Sequence, residues 1–378
     1  RYEGGKFSGD PKGSASSQLA FLLGENEFLA ERMDKAIAAY QSYLEQYPRD
    51  TQVTKAKYRL GTALYRNKQF DEAERVLDEL IESDEGGAET FRSARLALGD
   101  IHFQRGEWES AEEDLKRYLS DGLDVRSADE AMLKVGLSQQ RREQYGNALK
   151  TFDRLIDRFA ESPHRLQALF ERGQVLVALD RSDEANKAFE RVLAEGGDSR
   201  FASHALNHLG SIAMRASDFL GAAKRFEQAM PRASDSSTGA AMMFQRAEAY
   251  MAAREFDRAE QAFTQFLSDH ADHDSASQAR AQLAIALARQ DKHVAALKII
   301  KRIERDEFSG LDSAARAALR YEKSWCLRET GKLDEAAKAY RDLLESGDNN
   351  DLNAHALLEL SGIEFNAERY EPAAELLR

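Results

Sequence analysis

The segment TKAKYRLGTALYRNKQFDEAERVLDELIE, residues 54–82, holds two helical patterns back to back. In its first half Tyr58, Leu60, Leu64 and Tyr65 recur at helical spacing; in its second half Ala73, Val76, Leu77, Leu80 and Ile81 do the same. Between them a bulky residue and an acid, Phe70 and Asp71, mark a break. An acid beside a helix N-terminus satisfies free N–H groups and complements the dipole, as Asp34, Asp71, Asp183, Asp257 and Asp334 would. The segment predicts a helix hairpin.

The same pattern extends in both directions. Ala73 is one of ten alanines, Ala36, Ala73, Ala111, Ala148, Ala185, Ala222, Ala259, Ala296, Ala336 and Ala373, spaced by 37 residues except for one step of 38 and one of 40. Twelve residues before each stands a small residue: Gly24, Gly61, Gly99, Gly136, Gly173, Gly210, Ala247, Ala284, Ser324 and Ser361. Four residues after each stands a large apolar one, such as Tyr40, Leu77, Phe152 or Phe263. Self-similarity at this period is the mark of a solenoid. The small residues mark helix crossings, where anything larger would hold two backbones apart. A single hairpin cannot bury enough apolar surface to stand alone, so each must stack on its neighbours. The step of 40, around Asp306–Asp312, is where a bend or weak joint is expected.

With 378 residues, 5 prolines, 23 glycines, 42% hydrophobic and 31% charged residues, the composition suits a charge-coated helical chain read as one elongated domain. Residues 1–16 read as a flexible N-terminal segment and 17–378 as the repeat array, its last repeat truncated. The chain opens at Arg1 and stops at Arg378 inside a helical pattern, so it is read as cut from something longer. No apolar run reaches a membrane span, and a net charge of −13 argues against nucleic acid and anionic lipid as partners.

These registers, with Leu60–Gly61, Leu98–Gly99 and Leu209–Gly210, an alanine twelve later, an aromatic four beyond it and the closing Tyr47–Pro48, resemble the tetratricopeptide repeat. The longer period and the Tyr-Pro ending are similar to the bacterial periplasmic BamD-like and Tol-associated subgroup. The resemblance implies an all-α, right-handed superhelical solenoid of about ten antiparallel helix hairpins. It also implies a protein-binding scaffold of the bacterial periplasm or envelope, with a cytoplasmic location as the alternative, and no enzyme.

In that family partners lie along the first helices of the hairpins, on the concave face. The inward positions here include Phe21, Phe28, Tyr58, Tyr65, Phe103, Phe170, Phe244, Met251, Tyr321 and Trp325. The stripe either fills contacts between adjacent first helices or forms a groove with aromatic anchors for a peptide. Arg66, Arg141, Arg215 and Arg328 fall beside it, as solvated charges or as partners for carboxylates.

No catalytic, cofactor or metal constellation emerges. Cys326 follows Trp325 with no histidine near in sequence. His204 and His208 lack a third ligand, His270 and His273 lie in an acidic connection, and Gly347–Asp351 lacks the calcium-loop spacing. The pairs Gly86–Gly87 and Gly196–Gly197 read as ends of second helices. The function expected is docking of other proteins or peptides, with self-association through uncapped ends as a further route. The alternative is the targeting or regulatory region of a larger enzyme or of a secretion or polysaccharide-export machine.

Overall fold

The local pattern becomes a run of helix pairs in the computed structural model, which describes residues 2–3, 6–7, 14–83, 87–120, 122–197, 199–346 and 350–378. A short antiparallel pairing of β1 (Tyr2–Glu3) with β2 (Lys6–Phe7) comes first. Then follow α1 (Ser14–Leu29) with α2 (Met33–Gln46), α3 (Val53–Arg66) with α4 (Phe70–Glu82), α5 (Ala88–Arg105) with α6 (Trp108–Tyr118), α7 (Ala128–Arg141) with α8 (Tyr145–Arg158), and α9 (Arg165–Ala178) with α10 (Ser182–Glu195). The second half has α11 (Arg200–Arg215) with α12 (Phe219–Ala229), α13 (Ser236–Ala252) with α14 (Phe256–Asp269), α15 (Ala276–Ala288) with α16 (His293–Arg305), α17 (Ser313–Glu329) with α18 (Leu333–Glu345), and α19 (Asn350–Asn366) with α20 (Tyr370–Glu375). The fold is all-α and each pair corresponds to one sequence repeat.

The turn inside each pair is built the same way. Five residues before every ladder alanine the backbone is left-handed: Glu31, Lys68, Gly106, Glu143, Asp180, Ser217, Arg254, Asp291, Gly331 and Glu368 have φ between 57° and 76°. The next residue donates its backbone N–H to the carbonyl five residues back, as Gln69 does to Leu64 and Asp218 to Ala213, both at 2.9 Å. That bond closes the first helix, and its donor is already the N-cap of the second helix. The acids Asp34, Asp71, Asp183, Asp257 and Asp334 sit in first turns of second helices, where they complement the dipole. A side-chain cap bond is made one register earlier, by Asp218 to the Gly221 N–H at 3.0 Å. Gly87 is the N-cap of α5 with φ −75°, and Gly197 also lacks a left-handed φ. Gly86 and Gly347–Asn349 lie outside the described residues.

The two ladders touch each other. A Cβ placed on Gly24 would lie 2.5 Å from the Tyr40 ring, one on Gly61 2.6 Å from Leu77, and one on Gly99 2.6 Å from Leu115. Gly136 meets Phe152 and Gly210 meets Phe226 in the same way. The small residue of the first helix is therefore the seat of the large residue sixteen positions later, and the ladder alanines are fully buried beside that contact.

Packing groups the chain into two compact units, Arg1–Ala188 and Phe189–Arg378, which divide inside α10 and not at the long step. In the first unit Tyr40, Leu77, Leu115 and Phe152 have no exposed surface, and buried side chains from Ala20 to Ile101 form one continuous cluster. In the second unit Phe263, Ile300 and Tyr340 hold the equivalent places, equally buried. The three extra residues form a folded turn. Glu307 and Phe308 are left-handed (φ 51° and 55°), Phe308 and Leu311 pack on the core, and the Arg320 guanidinium lies 5.0 Å from the Phe308 ring.

Candidate functional site: the first-helix face

In the first unit the aromatic stripe is packed and partly roofed by cations. Phe21 and Phe28 are 4% exposed. Lys55 Nζ sits 5.1 Å from the Phe21 ring, and Arg59 and Arg66 sit 5.0 and 4.8 Å from Phe28. All three cations come from α3, the first helix of the next pair. Tyr58 and Tyr65 are half-buried, Tyr65 against Phe70 and accepting a 2.8 Å hydrogen bond from Gln104 Nε2. Phe103 meets Trp108 edge-on at 5.3 Å, and Phe170 is buried.

In the second unit Phe244 is half-buried against Phe263 and Phe266, and Met251 packs in the same cluster. Tyr321 meets Tyr340 edge-on, and Trp325 is held between His293 at 5.2 Å and the Arg289 guanidinium at 5.3 Å. The stripe thus mainly fills contacts within and between hairpins, which is what a bulky row at helical spacing does when its neighbours are present.

Polar contacts cross from one first helix to the next in a fixed register. The residue one after the small position meets the residue two before the next small position: Glu25 with Arg59 at 2.7 Å, and Asp100 with Lys134 at 2.6 Å. Burial works against the Lys134 ammonium, but Asp100 and Glu130 outweigh it and raise its pKa. Two before Gly173, where Arg59 and Lys134 stand in their repeats, Glu171 holds the place of the cation; burial pushes its carboxyl above the ordinary range, against the side chains of Gln167 and Gln140 and the charge of Arg141. Glu248 in the second unit is likewise raised by burial.

What the face offers to solvent is arginine. Arg66 and Arg141 in the first unit and Arg215 in the second are exposed, each five residues after a small position. Among the described residues none has a carboxylate at ion-pair distance. Arg289, which the sequence alone does not single out beside Arg328, occupies the same register in α15. Arg289 pairs with Glu322, whose carboxyl is raised by burial against that pull. Arg328 stands one position earlier and is consumed by Glu359 and Glu329. The exposed arginine therefore recurs in the second, fourth, sixth and eighth repeats, with Asn366 in its place in the tenth, a period visible only once the registers are aligned.

A second polar layer runs on the side of the second helices. His102 Nδ1 lies 3.0 Å from Asp114 and its Nε2 3.2 Å from Glu74 of the preceding hairpin. Its pKa is raised, first by the hydrogen bond to Asp114, against burial. One repeat later Gln139 takes the same register and donates to Glu112 at 2.9 Å. This layer links residues 27 or 28 apart in sequence and gives no motif.

The cysteine and three of the histidines singled out in the sequence are taken up by packing. Cys326 is fully buried, and burial raises its thiol to about 12. His208 stacks flat on Phe189 at 4.9 Å, while His270 and His273 contact Phe266. Among the described residues there is no group of three His, Cys, Asp or Glu placed to hold a metal, and no helix long and apolar enough to cross a membrane. A cleft in the first unit is lined by Leu123, Arg154, Asp157 and Arg158, off the first helices.

Family models of the tetratricopeptide repeat match residues 18–50, 58–126, 133–198, 170–238, 244–312, 301–351 and 321–378. They describe the repeat as such and do not distinguish the BamD-like or Tol-associated subgroup. No curated protein matches the sequence. Solved structures with a similar fold include a tetratricopeptide repeat protein from Parabacteroides merdae, 15% identical, covering 71% of this chain and 98% of its own, with a TM-score of 0.45. PilW, a widely conserved type IV pilus biogenesis factor, is 16% identical over 61% of this chain and 99% of its own, TM-score 0.45. YrrB, a repeat protein with an unusual peptide-binding site, is 16% identical over 54% and 97%, TM-score 0.44. With its family models spread over most of its length, the chain belongs to the tetratricopeptide-repeat family.

Proposed function

We propose that this tetratricopeptide-repeat chain is a non-catalytic scaffold that holds proteins of a bacterial envelope complex by their acidic segments, along its first helices. The observation that carries the reading is the exposed arginine of alternate repeats. In an acidic chain, Arg66 and Arg141 have no carboxylate at ion-pair distance among the described residues, Arg141 acting on the buried Glu171 only through its charge, while neighbouring cations such as Arg59 and Lys134 are paired. An unpaired guanidinium offers a planar fork of donors suited to carboxylates. The second unit carries one such residue, Arg215, while Arg289 in the same register is already paired with Glu322. The aromatic residues beneath act as the support of the site, since most are already packed. The envelope assignment rests on the Tyr47–Pro48 ending and the long period, and docking is expected to involve other proteins, not nucleic acid or lipid.

The test is affinity capture from an envelope extract of the source cells, comparing the natural chain with Arg66→Glu combined with Arg141→Glu. Loss of the captured proteins with unchanged helicity supports the reading. Retention of the same proteins by the double variant overturns it.

A further inference from the structure

The outward side of α16 carries a single sign of charge. Val294, Ala295, Lys298, Lys301, Arg302 and Arg305 share one side of that helix, and all six are exposed. They bring four cations and no acid, in a chain of net charge −13. Counted from the ladder alanine, the same six registers mix both signs in every other second helix.

The row is also unpaired. Among the described residues none of its four cations has a carboxylate at ion-pair distance. Glu304 of the same helix lies off the row and is held by Lys323 at 2.7 Å, while Asp306 and Glu307 follow in the turn beyond. On other second helices, exposed charges four apart pair with each other, as Arg117 does with Glu113 and Arg191 with Glu195. On α16 the neighbours three and four apart are like charges, Lys298 beside Lys301 and Arg302, and Arg305 beside both of those. Such neighbours destabilise a helix that stands alone. The helix dipole accounts for Arg302 and Arg305, which stand in the last turn, but not for Lys298 and Lys301. At the other end the row gives up an acid that the dipole favours. The place held by Asp34, Asp71, Asp183, Asp257 and Asp334 is taken by Val294, which is 75% exposed.

One other second helix departs as far in the opposite sense. On α4 the same registers hold Asp71, Glu72, Arg75, Asp78, Glu79 and Glu82, all exposed, five acids with one cation. Asp71 is engaged by Arg105, and Glu79 lies 3.9 Å from Arg75. Glu72, Asp78 and Glu82 have no cation at ion-pair distance among the described residues. Because the registers are the same, the two rows present opposite charges at matching spacing along about 16 Å of helix.

We infer that the chain associates with a second copy of itself through these rows, the basic face of α16 on one copy lying against the acidic face of α4 on the other. Apposition sets opposite charges across the contact against the like-charge neighbours within each row. The two faces differ, so the contact is heterologous. Charge pairs at a solvated surface are individually weak, so the association is reversible and depends on concentration and salt. This inference is independent of the arginine site, which lies on first helices, and its test needs no partner protein.

Light-scattering mass measurement on the whole 378-residue chain provides that test. At about 0.1 M salt, repulsion between the acidic copies is screened beyond about 10 Å while charges in contact are not. Under those conditions the mass of the natural chain should rise from the monomer towards twice that value as concentration increases. At about 1 M salt, where screening acts within about 3 Å, it should return to the monomer. Lys298→Glu combined with Lys301→Glu should hold the chain at the monomer, and so should Asp78→Lys combined with Glu79→Lys. All four substitutions in one chain restore the natural net charge and exchange the signs across the contact, so association should return. Helical circular dichroism should be unchanged throughout, since all four positions are exposed. A constant monomer mass for the natural chain at about 0.1 M salt overturns the inference. So does association that survives either pair of substitutions, or a fourfold variant that stays monomeric, which would remove α4 as the counterpart of α16.

Discussion

The crossings of the first hairpins and of the later ones solve one packing problem with different spacers. In α1, α3, α5, α7 and α11 a glycine lets Tyr40, Leu77, Leu115, Phe152 or Phe226 lie directly against the helix backbone. In α13, α15 and α17 the same register holds Ala247, Ala284 and Ser324, yet Phe263, Ile300 and Tyr340 remain fully buried. The extra atoms are thus absorbed without opening the core. The serines avoid burying an idle hydroxyl: Ser324 Oγ donates to the Arg320 carbonyl at 2.8 Å and Ser361 Oγ to Leu358 at 2.8 Å. The register demands a small residue and tolerates two sizes of it, each matched to its own junction.

That contrast is broken most directly by exchanging spacers. Gly136→Leu should cost about 3 kcal/mol, because the side chain must displace the Phe152 ring. Its check is urea unfolding followed by circular dichroism, and a cost under about 1 kcal/mol would remove the distinction between seat and spacer. Ala247→Gly should lose about 1 kcal/mol of helix propensity, with nothing regained from packing already set for a methyl group. A stabilised variant would mean that the later crossings are strained.

A second kind of glycine sharpens the comparison. Gly331 meets nothing within 4 Å but has φ +75°, so Gly331→Ala should cost about 1 kcal/mol through backbone conformation alone. The converse, Arg254→Gly, relieves a left-handed arginine and should be neutral or raise the unfolding free energy by a few tenths of a kcal/mol to about 1 kcal/mol. A clear loss there would show that the Arg254 side chain contributes more than its backbone costs.

The smallest expected effect compares adjacent repeats at a single register. His102 has a folded pKa above its ordinary 6.5, so its contribution to stability is full below that value and is lost as pH rises through the folded pKa. Gln139, its counterpart one repeat later, does not titrate. The melting temperature of the natural chain should therefore fall on raising the pH above 6.5, and His102→Gln should flatten that slope. An unchanged slope would assign the pH dependence to other groups.

Much of the architecture is legible in the sequence because it is written in side-chain size. Glycine opposite Tyr40 or Phe152 cannot be replaced cheaply, so the size pattern survives in every copy. The turn inside the hairpin is illegible for the opposite reason. Its left-handed residue is glycine only at Gly106 and Gly331; elsewhere Glu31, Lys68, Arg254 and others pay a modest conformational cost that the surrounding hydrogen bonds override. The aromatic stripe was legible as a row but not as a function, since only neighbouring helices decide whether Phe28 is a floor or an anchor. The arginine row is half legible: Arg66, Arg141 and Arg215 stand out beside the stripe, but Arg289 and Arg328 differ by one helical position, and only the structure shows that both are held in ion pairs.

The short turn inside each hairpin also fixes where the chain tolerates length changes. From the small position to the large one every copy spans the same sixteen residues, including the copy after the long step, where Ser324, Ala336 and Tyr340 keep their spacing. All variation falls between hairpins. During synthesis each hairpin can close its own helices as soon as both have emerged, through contacts entirely local in sequence. It gains its lasting stability only when the next first helix arrives to cover it, so the order of translation is also the order of consolidation.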